Sequence, residues 1–117
     1  MAAPNIVNVA TITGKTAVQV VTTTATAIVT NSSSSGKVFK VNALYVANID
    51  GTNAATVNVD IYRSSTAYRI AQVISVPAAT TLDVINKSIY LEEGDALRLA
   101  ASANTRLEAV CSYEEIS

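Results

Sequence analysis

At 117 residues the chain has the length of one domain. Half of it is hydrophobic, with five Tyr, one Phe, one Cys, no Trp and no His, so the residues that most often carry chemistry are scarce and an internal disulfide is excluded. Eight basic residues, scattered singly, and nine acidic ones leave a net charge of −1, which argues against nucleic acid as a partner and gives little electrostatic reason to avoid self-association.

A chain of this size buries roughly two-thirds of its unfolded surface. Ala and Val supply much of the apolar content, so the core is expected to be thin and further burial against copies of the chain is expected with it. No window approaches the roughly 20 apolar residues that span a bilayer. Met1, Ala2, Ala3, Pro4 and Asn5 lack the pattern of a signal peptide. The expectation is a soluble protein with no membrane partner, assembled where it is made.

Along the chain the hydrophobic period is close to two, that of a sheet with one buried face. Residues 6–13 and 16–23 read as a hairpin about Gly14 and Lys15. Residues 1–30 alternate Thr with Val and Ala and contain no aromatic. They fit either two strands of the same sandwich or an arm that pairs with a neighbouring subunit. Residues 32–36 form a Ser-rich flexible loop. Between Lys37 and Asn48 the phase changes, with Phe39 and Val41 on one face and Leu44 and Val46 on the other. Either a β-bulge sits near Asn42, which is the expectation, or the strand is buried on both faces.

Asp50 and Gly51 mark a turn because both tolerate positive φ. Residues 56–63 place Val57, Val59 and Ile61 inward and Asn58, Asp60 and Tyr62 outward. Ser64 and Ser65 turn the chain into residues 68–75, and Pro77, which lacks an N–H, marks a strand end or an edge. Ile89 and Leu91 flank Tyr90. Glu92, Glu93, Gly94 and Asp95 form the next turn, after which Leu97 and Leu99 oppose Arg98. Residues 102–105 turn into a last strand, where Leu107, Ala109, Cys111 and Tyr113 oppose Glu108, Val110, Ser112 and Glu114. This amounts to about eight to ten short strands at spacings of roughly 8–12 residues. No window carries the helical repeat. The predicted fold is all-β, a single antiparallel β-sandwich over residues 1–117, jelly-roll or immunoglobulin-like.

The motifs that suggest chemistry have simpler readings. Gly14, Lys15 and Thr16 resemble the tail of a phosphate-binding loop, but that loop needs a glycine where Val9 stands and a helix afterwards. Glu92, Glu93 and Asp95, with Asp50 or Asp60, match no calcium loop, and a solvated turn explains them. Asp60, Asp83, Glu108 and Glu114 invite a paired-carboxylate glycosidase reading, yet each falls on the polar face of a strand. No catalytic residue, metal or cofactor is predicted. Cys111, on an apolar face with no His to activate it, is expected to be a buried, inert thiol. The sequons at Asn31 and Asn86 carry no weight without secretion. Tyr62, Tyr68 and Tyr90 lie close in sequence to Arg63, Arg69 or Lys87, and Tyr with Arg is typical of interface hot spots. Tyr62, Arg63, Tyr68, Arg69 and Tyr90 are therefore the candidate interface residues. The competing reading makes the tyrosines semi-buried core at the sandwich edges.

Residues 41–52 (VNALYVANIDGT), 57–64 (VNVDIYRS), 88–99 (SIYLEEGDALRL) and 109–116 (AVCSYEEI), with 2–9 (AAPNIVNV) at the start, carry a resemblance over almost the whole chain. It resembles the small virion structural proteins of tailed phages that infect marine cyanobacteria. The strand, Leu-x-x-Gly-Asp, strand element at Leu91 to Asp95 is common to many β-sandwich modules; agreement along the whole chain carries the suggestion. The resemblance implies an all-β component of head, tail or fibre, located in the virion after assembly in the host cytoplasm. It implies a homo-oligomer, with a trimer favoured, in contact with a larger capsid or tail protein, and it supplies no catalytic residues. Such contacts would bury about 1,000 Å² or more, with Tyr and Arg as anchors. The alternative is a receptor- or glycan-binding module of a phage fibre, with an exposed Tyr cluster for a host-surface glycan. A hydrolase would need a cleft holding two carboxylates of divergent pKa.

Overall fold

Strands with one apolar face are stable only where that face is covered, and two such sheets can cover each other. The computed structural model, which describes residues 10–117, has this arrangement. Its strands are β1 (Ile12–Val21), β2 (Thr26–Thr30), β3 (Val38–Asn48), β4 (Ala55–Arg63), β5 (Thr66–Val76), β6 (Thr81–Asp83), β7 (Ile89–Leu91), β8 (Ala96–Ala101) and β9 (Leu107–Ile116). One antiparallel sheet runs β1–β9–β3, with β6 and β7 both paired to the far side of β3. The other runs β2–β8–β4–β5. The expected all-β sandwich is the observed fold, and no helix occurs among the described residues.

Val41, Leu44, Val46, Leu107 and Cys111 of the first sheet join Val57, Val59, Leu97 and Leu99 of the second in one core, none more than 1% exposed. Phe39 packs against Tyr113, with ring centroids 5.5 Å apart. The bulge predicted near Asn42 is present: the register of β3 on β9 shifts between Val41 and Ala43. The extra residue moves Leu44 and Val46 to the face already held by Phe39 and Val41, which leaves Tyr45 outside.

The N-terminal hairpin is not formed. β1 runs without interruption through Gly14 and Lys15, which pair with Glu114 and Tyr113 of β9. A full-length partner strand offers a complete ladder there, and Gly14 is not among the residues of positive φ. Lys15 is tied to Glu115 by a 2.8 Å ion pair. The remainder of that expected hairpin, residues 6–9, lies outside the described residues. After β1 the chain crosses to β2 on the other sheet, so 12–30 contribute one strand to each sheet. β1 and β2 flank the same side of the sandwich, where Gln19 Nε2 donates to the Ala27 carbonyl at 2.9 Å.

The turn at Asp50 forms, but not through positive φ at Asp50 or Gly51. Asp50 Oδ1 instead accepts the backbone N–H groups of Thr52 and Asn53 at 2.8 and 3.0 Å, an Asx-type closure. It carries the chain from one sheet to the other. Ser64 and Ser65 make the β4–β5 hairpin with φ of 52° and 61°, the pattern of the two-residue turn that matches strand twist.

Candidate functional site

Alternation places Asp60 on the outer face of β4, where solvent is expected. It is instead 1% exposed. Register sets it between Arg69 of β5 and Arg98 of β8. Arg98 Nε donates to Asp60 Oδ1 at 2.9 Å and its Nη2 to Oδ2 at 3.3 Å, while Arg69 Nη1 reaches Oδ2 at 3.5 Å. The Arg98 guanidinium also lies over the Tyr62 ring, 4.0 Å from its centroid, a cation–π contact. Both oxygens of Asp60 are thus engaged by arginines, which corrects the reading of this residue as a solvated surface charge.

A second ion pair closes one end of the sandwich. Asp95 is 1% exposed and is gripped by Arg63 through Nε at 2.7 Å and Nη2 at 2.6 Å, a bidentate geometry. The Glu92 N–H donates to Asp95 Oδ2 at 2.8 Å. Burial pushes this carboxyl up, but the Arg63 hydrogen bonds, the Glu92 N–H and the Arg63 charge outweigh it and hold it below the usual range. The same pairing pushes the Arg63 guanidinium up. Glu92 pairs with Arg63 as well, and Glu93 accepts the Gly36 N–H. The acidic turn therefore spends its carboxylates on the protein itself, and among the described residues no group of His, Cys, Asp or Glu is arranged as a metal site. Glu115 is held between Lys15 and Lys37, whose hydrogen bonds keep its carboxyl below the usual range. Cys111 is fully buried, and burial pushes its thiol up to about 11.

The candidate interface residues do not form one patch. Tyr62 and Arg69 sit on the outer face of the four-stranded sheet with Asp60, and Tyr62 is half-buried beneath Arg98. Tyr68 lies opposite Ile61 and lines an open hollow with Ile61 and Arg63. Tyr90 is on β7, opposite Lys40, in the other sheet, so it does not join the other four.

Two exposed apolar surfaces escaped the residue-by-residue reading. On the outer face of the first sheet, register aligns Val18 of β1, Val110 of β9 and Tyr45 of β3 in one row, with Val18 74% exposed. Val20 stands beside them over a hollow that it lines with Val18, Glu108 and Val110. Val110 was visible among the outward residues of β9, but the misplaced turn at Gly14 hid the phase of β1. The second surface is the edge strand β5, where Tyr68, Ile70, Val73 and Ile74 are exposed. Val73 has a φ of 51° and donates its N–H to Asn58 Oδ1 at 2.6 Å, so this edge is bulged.

No protein-family model and no curated protein matches the chain. It is similar to a chain from a solved structure of Bacillus endospore appendages, described as a novel family of disulfide-linked pili. The identity is 16% and the TM-score 0.52, over 92% of this chain and 88% of that one. At that identity the likeness shows a shared fold.

Proposed function

We propose that this chain is a non-enzymatic structural subunit of a tailed-phage virion, a component of head, tail or fibre that acts by self-assembly and by contact with a larger capsid or tail protein. The observation that carries this is the set of apolar side chains exposed on edge strands of both sheets, Ile12, Val18 and Val20 on β1 and Tyr68, Ile70, Val73 and Ile74 on β5. Edge strands offer free backbone N–H and C=O groups, and extended apolar patches mark sites of association. The engagement of Asp60 and Asp95 by arginines supports a role without catalysis. The likeness in fold to a pilus chain supports assembly, and the sequence resemblance supports the virion.

Light scattering coupled to size exclusion at micromolar concentration tests assembly. A stable oligomer is expected, and a clean monomer of 12.2 kDa would count against self-assembly. An antibody to the chain should label purified cyanophage particles; unlabelled particles remove the virion assignment. The alternative of a fibre glycan-binding module draws on one feature, a polar hollow lined by Ser33, Tyr62, Ser64, Ser65 and Glu93 beside the Arg63–Asp95 pair. A glycan array blank at high protein concentration removes that alternative.

A further inference from the structure

We infer that β1 is the assembly edge, pairing antiparallel with β1 of a second copy about a two-fold axis at Thr16 and joining two five-stranded sheets into one. The inference rests on the self-assembly reading above and specifies its surface.

Free edges in natural sheets are blunted by short strands, bulges or charges, and the other edges here are. β5 has two register shifts against β4 and a left-handed residue at Val73. β6 and β7 are three residues each, separated by a segment that includes Lys87. β2 has five residues and a register shift against β8. β1 differs from all of them. Its ten residues keep an unbroken register on β9, none is proline, and its one charge, Lys15, is already neutralised by Glu115. Among the described residues no strand pairs with its outer side.

The occupant follows from self-complementarity. A two-fold axis makes the added strand antiparallel, and a continuous sheet requires that outer residues meet outer residues. Two registers meet that condition with nine of the ten residues paired, one with Thr16 on the axis and one with Ala17. With Thr16 on the axis, Ile12 faces Val20 of the second copy and Gly14 faces its Val18. All three large apolar residues exposed on β1 then find apolar or open partners. Gly14 has no atom within 4 Å of where a Cβ would stand, which leaves room for the Val18 side chain across the axis. With Ala17 on the axis Ile12 has no partner. A ten-residue strand is about 34 Å long. A contact strip about 15 Å deep along it removes on the order of 1,000 Å² from water over both copies, the lower bound for a specific interface.

The test is cysteine cross-linking of the full chain, with solution mass measured in parallel. Residues directly opposite in an antiparallel pair have Cα atoms about 4.5–5.5 Å apart, within disulfide range. Thr16→Cys should therefore cross-link nearly completely under mild oxidation. Val20→Cys, also exposed but about 27 Å from its copy in this register, should not. Cys111 is buried and does not compete. Val18→Glu, with an unchanged circular dichroism spectrum, should weaken dimerisation at least tenfold. An oligomer of any size in which Thr16→Cys fails to cross-link overturns the β1 edge and leaves self-assembly standing; a monomer overturns both. A three-fold ring would also overturn it, because β1 would then meet a different surface. Loss of the dimer on deleting residues 2–9 would overturn it by assigning the contact to that segment.

Discussion

Asn31 and Asn48, at opposite ends of the sandwich, make the same set of bonds. Asn31 Nδ2 donates to the carbonyls of Lys37 and Leu91 at 2.9 and 3.0 Å, and its Oδ1 accepts the Ser35 hydroxyl. Asn48 Nδ2 donates to the carbonyls of Asn53 and Val76, both at 2.9 Å, and its Oδ1 accepts the Asp50 N–H at 2.9 Å. Both side chains are buried. Each supplies two donors to main-chain carbonyls where the chain leaves a strand, so the loops at both ends are tied to the sheets by a side chain.

Replacing either residue by Ala should lower stability by about 2–3 kcal/mol, because buried carbonyls then lose their donors. Replacement by Asp should cost at least as much, since a carboxylate cannot donate. Urea denaturation reads the effect, and an unchanged midpoint would show the loops to be held elsewhere.

Asp60→Ala should cost about 3 kcal/mol by leaving Arg98 beside an empty buried site. The double variant Asp60→Leu, Arg98→Met should recover most of that loss, since a buried ion pair replaced by apolar groups of similar volume is often neutral. Failure of the double variant to recover would mean that the Tyr62 contact, and not charge pairing, is what Arg98 supplies.

Asp95 and Glu115 have carboxyls held below their usual range. A depressed carboxylate contributes stability that is fully present above its unfolded value, about pH 4, and is lost as pH falls through the folded value. Stability should therefore be level from neutral pH to about pH 5 and fall below about pH 4. Asp95→Asn should lower the plateau and flatten the fall. A fall of unchanged steepness in Asp95→Asn would assign the acid sensitivity to other groups.

Ser64 and Ser65 hold positive φ in the β4–β5 turn, as does Val73 in β5. Ser64→Asn with Ser65→Gly should raise stability by about 1 kcal/mol, and Val73→Gly by a similar amount through relief of strain. Thermal unfolding checks both; a lower midpoint in Val73→Gly would mean that its side chain is packed and not strained.

What the sequence revealed was what depends on neighbours along the chain. Alternation is local, so the inward sets of β4, β8 and β9 were legible, and so was the bulge at Asn42, since an extra residue must invert the phase. Gly14 and Lys15 misled because a glycine beside a lysine suits a turn and a strand interior equally. The partner that decides between them, Glu115, lies at the other end of the sequence. Asp60 misled for a similar reason. Its position on the polar face was correct, but two arginines brought in by register on either side remove it from water. The row Val18, Val110, Tyr45 exists only once β1, β9 and β3 are aligned, and no single segment contains it.

The burial of Cys111 between the sheets bears on how an assembly of this subunit would respond to its surroundings. Its sulfur is the only one in the chain able to bond covalently to a neighbour, and in the folded state it reaches none. In the assembly proposed above, copies would be held by contact alone. Dilution or denaturant, and not a thiol reagent, should take such an assembly apart, which its solution mass with and without reductant checks.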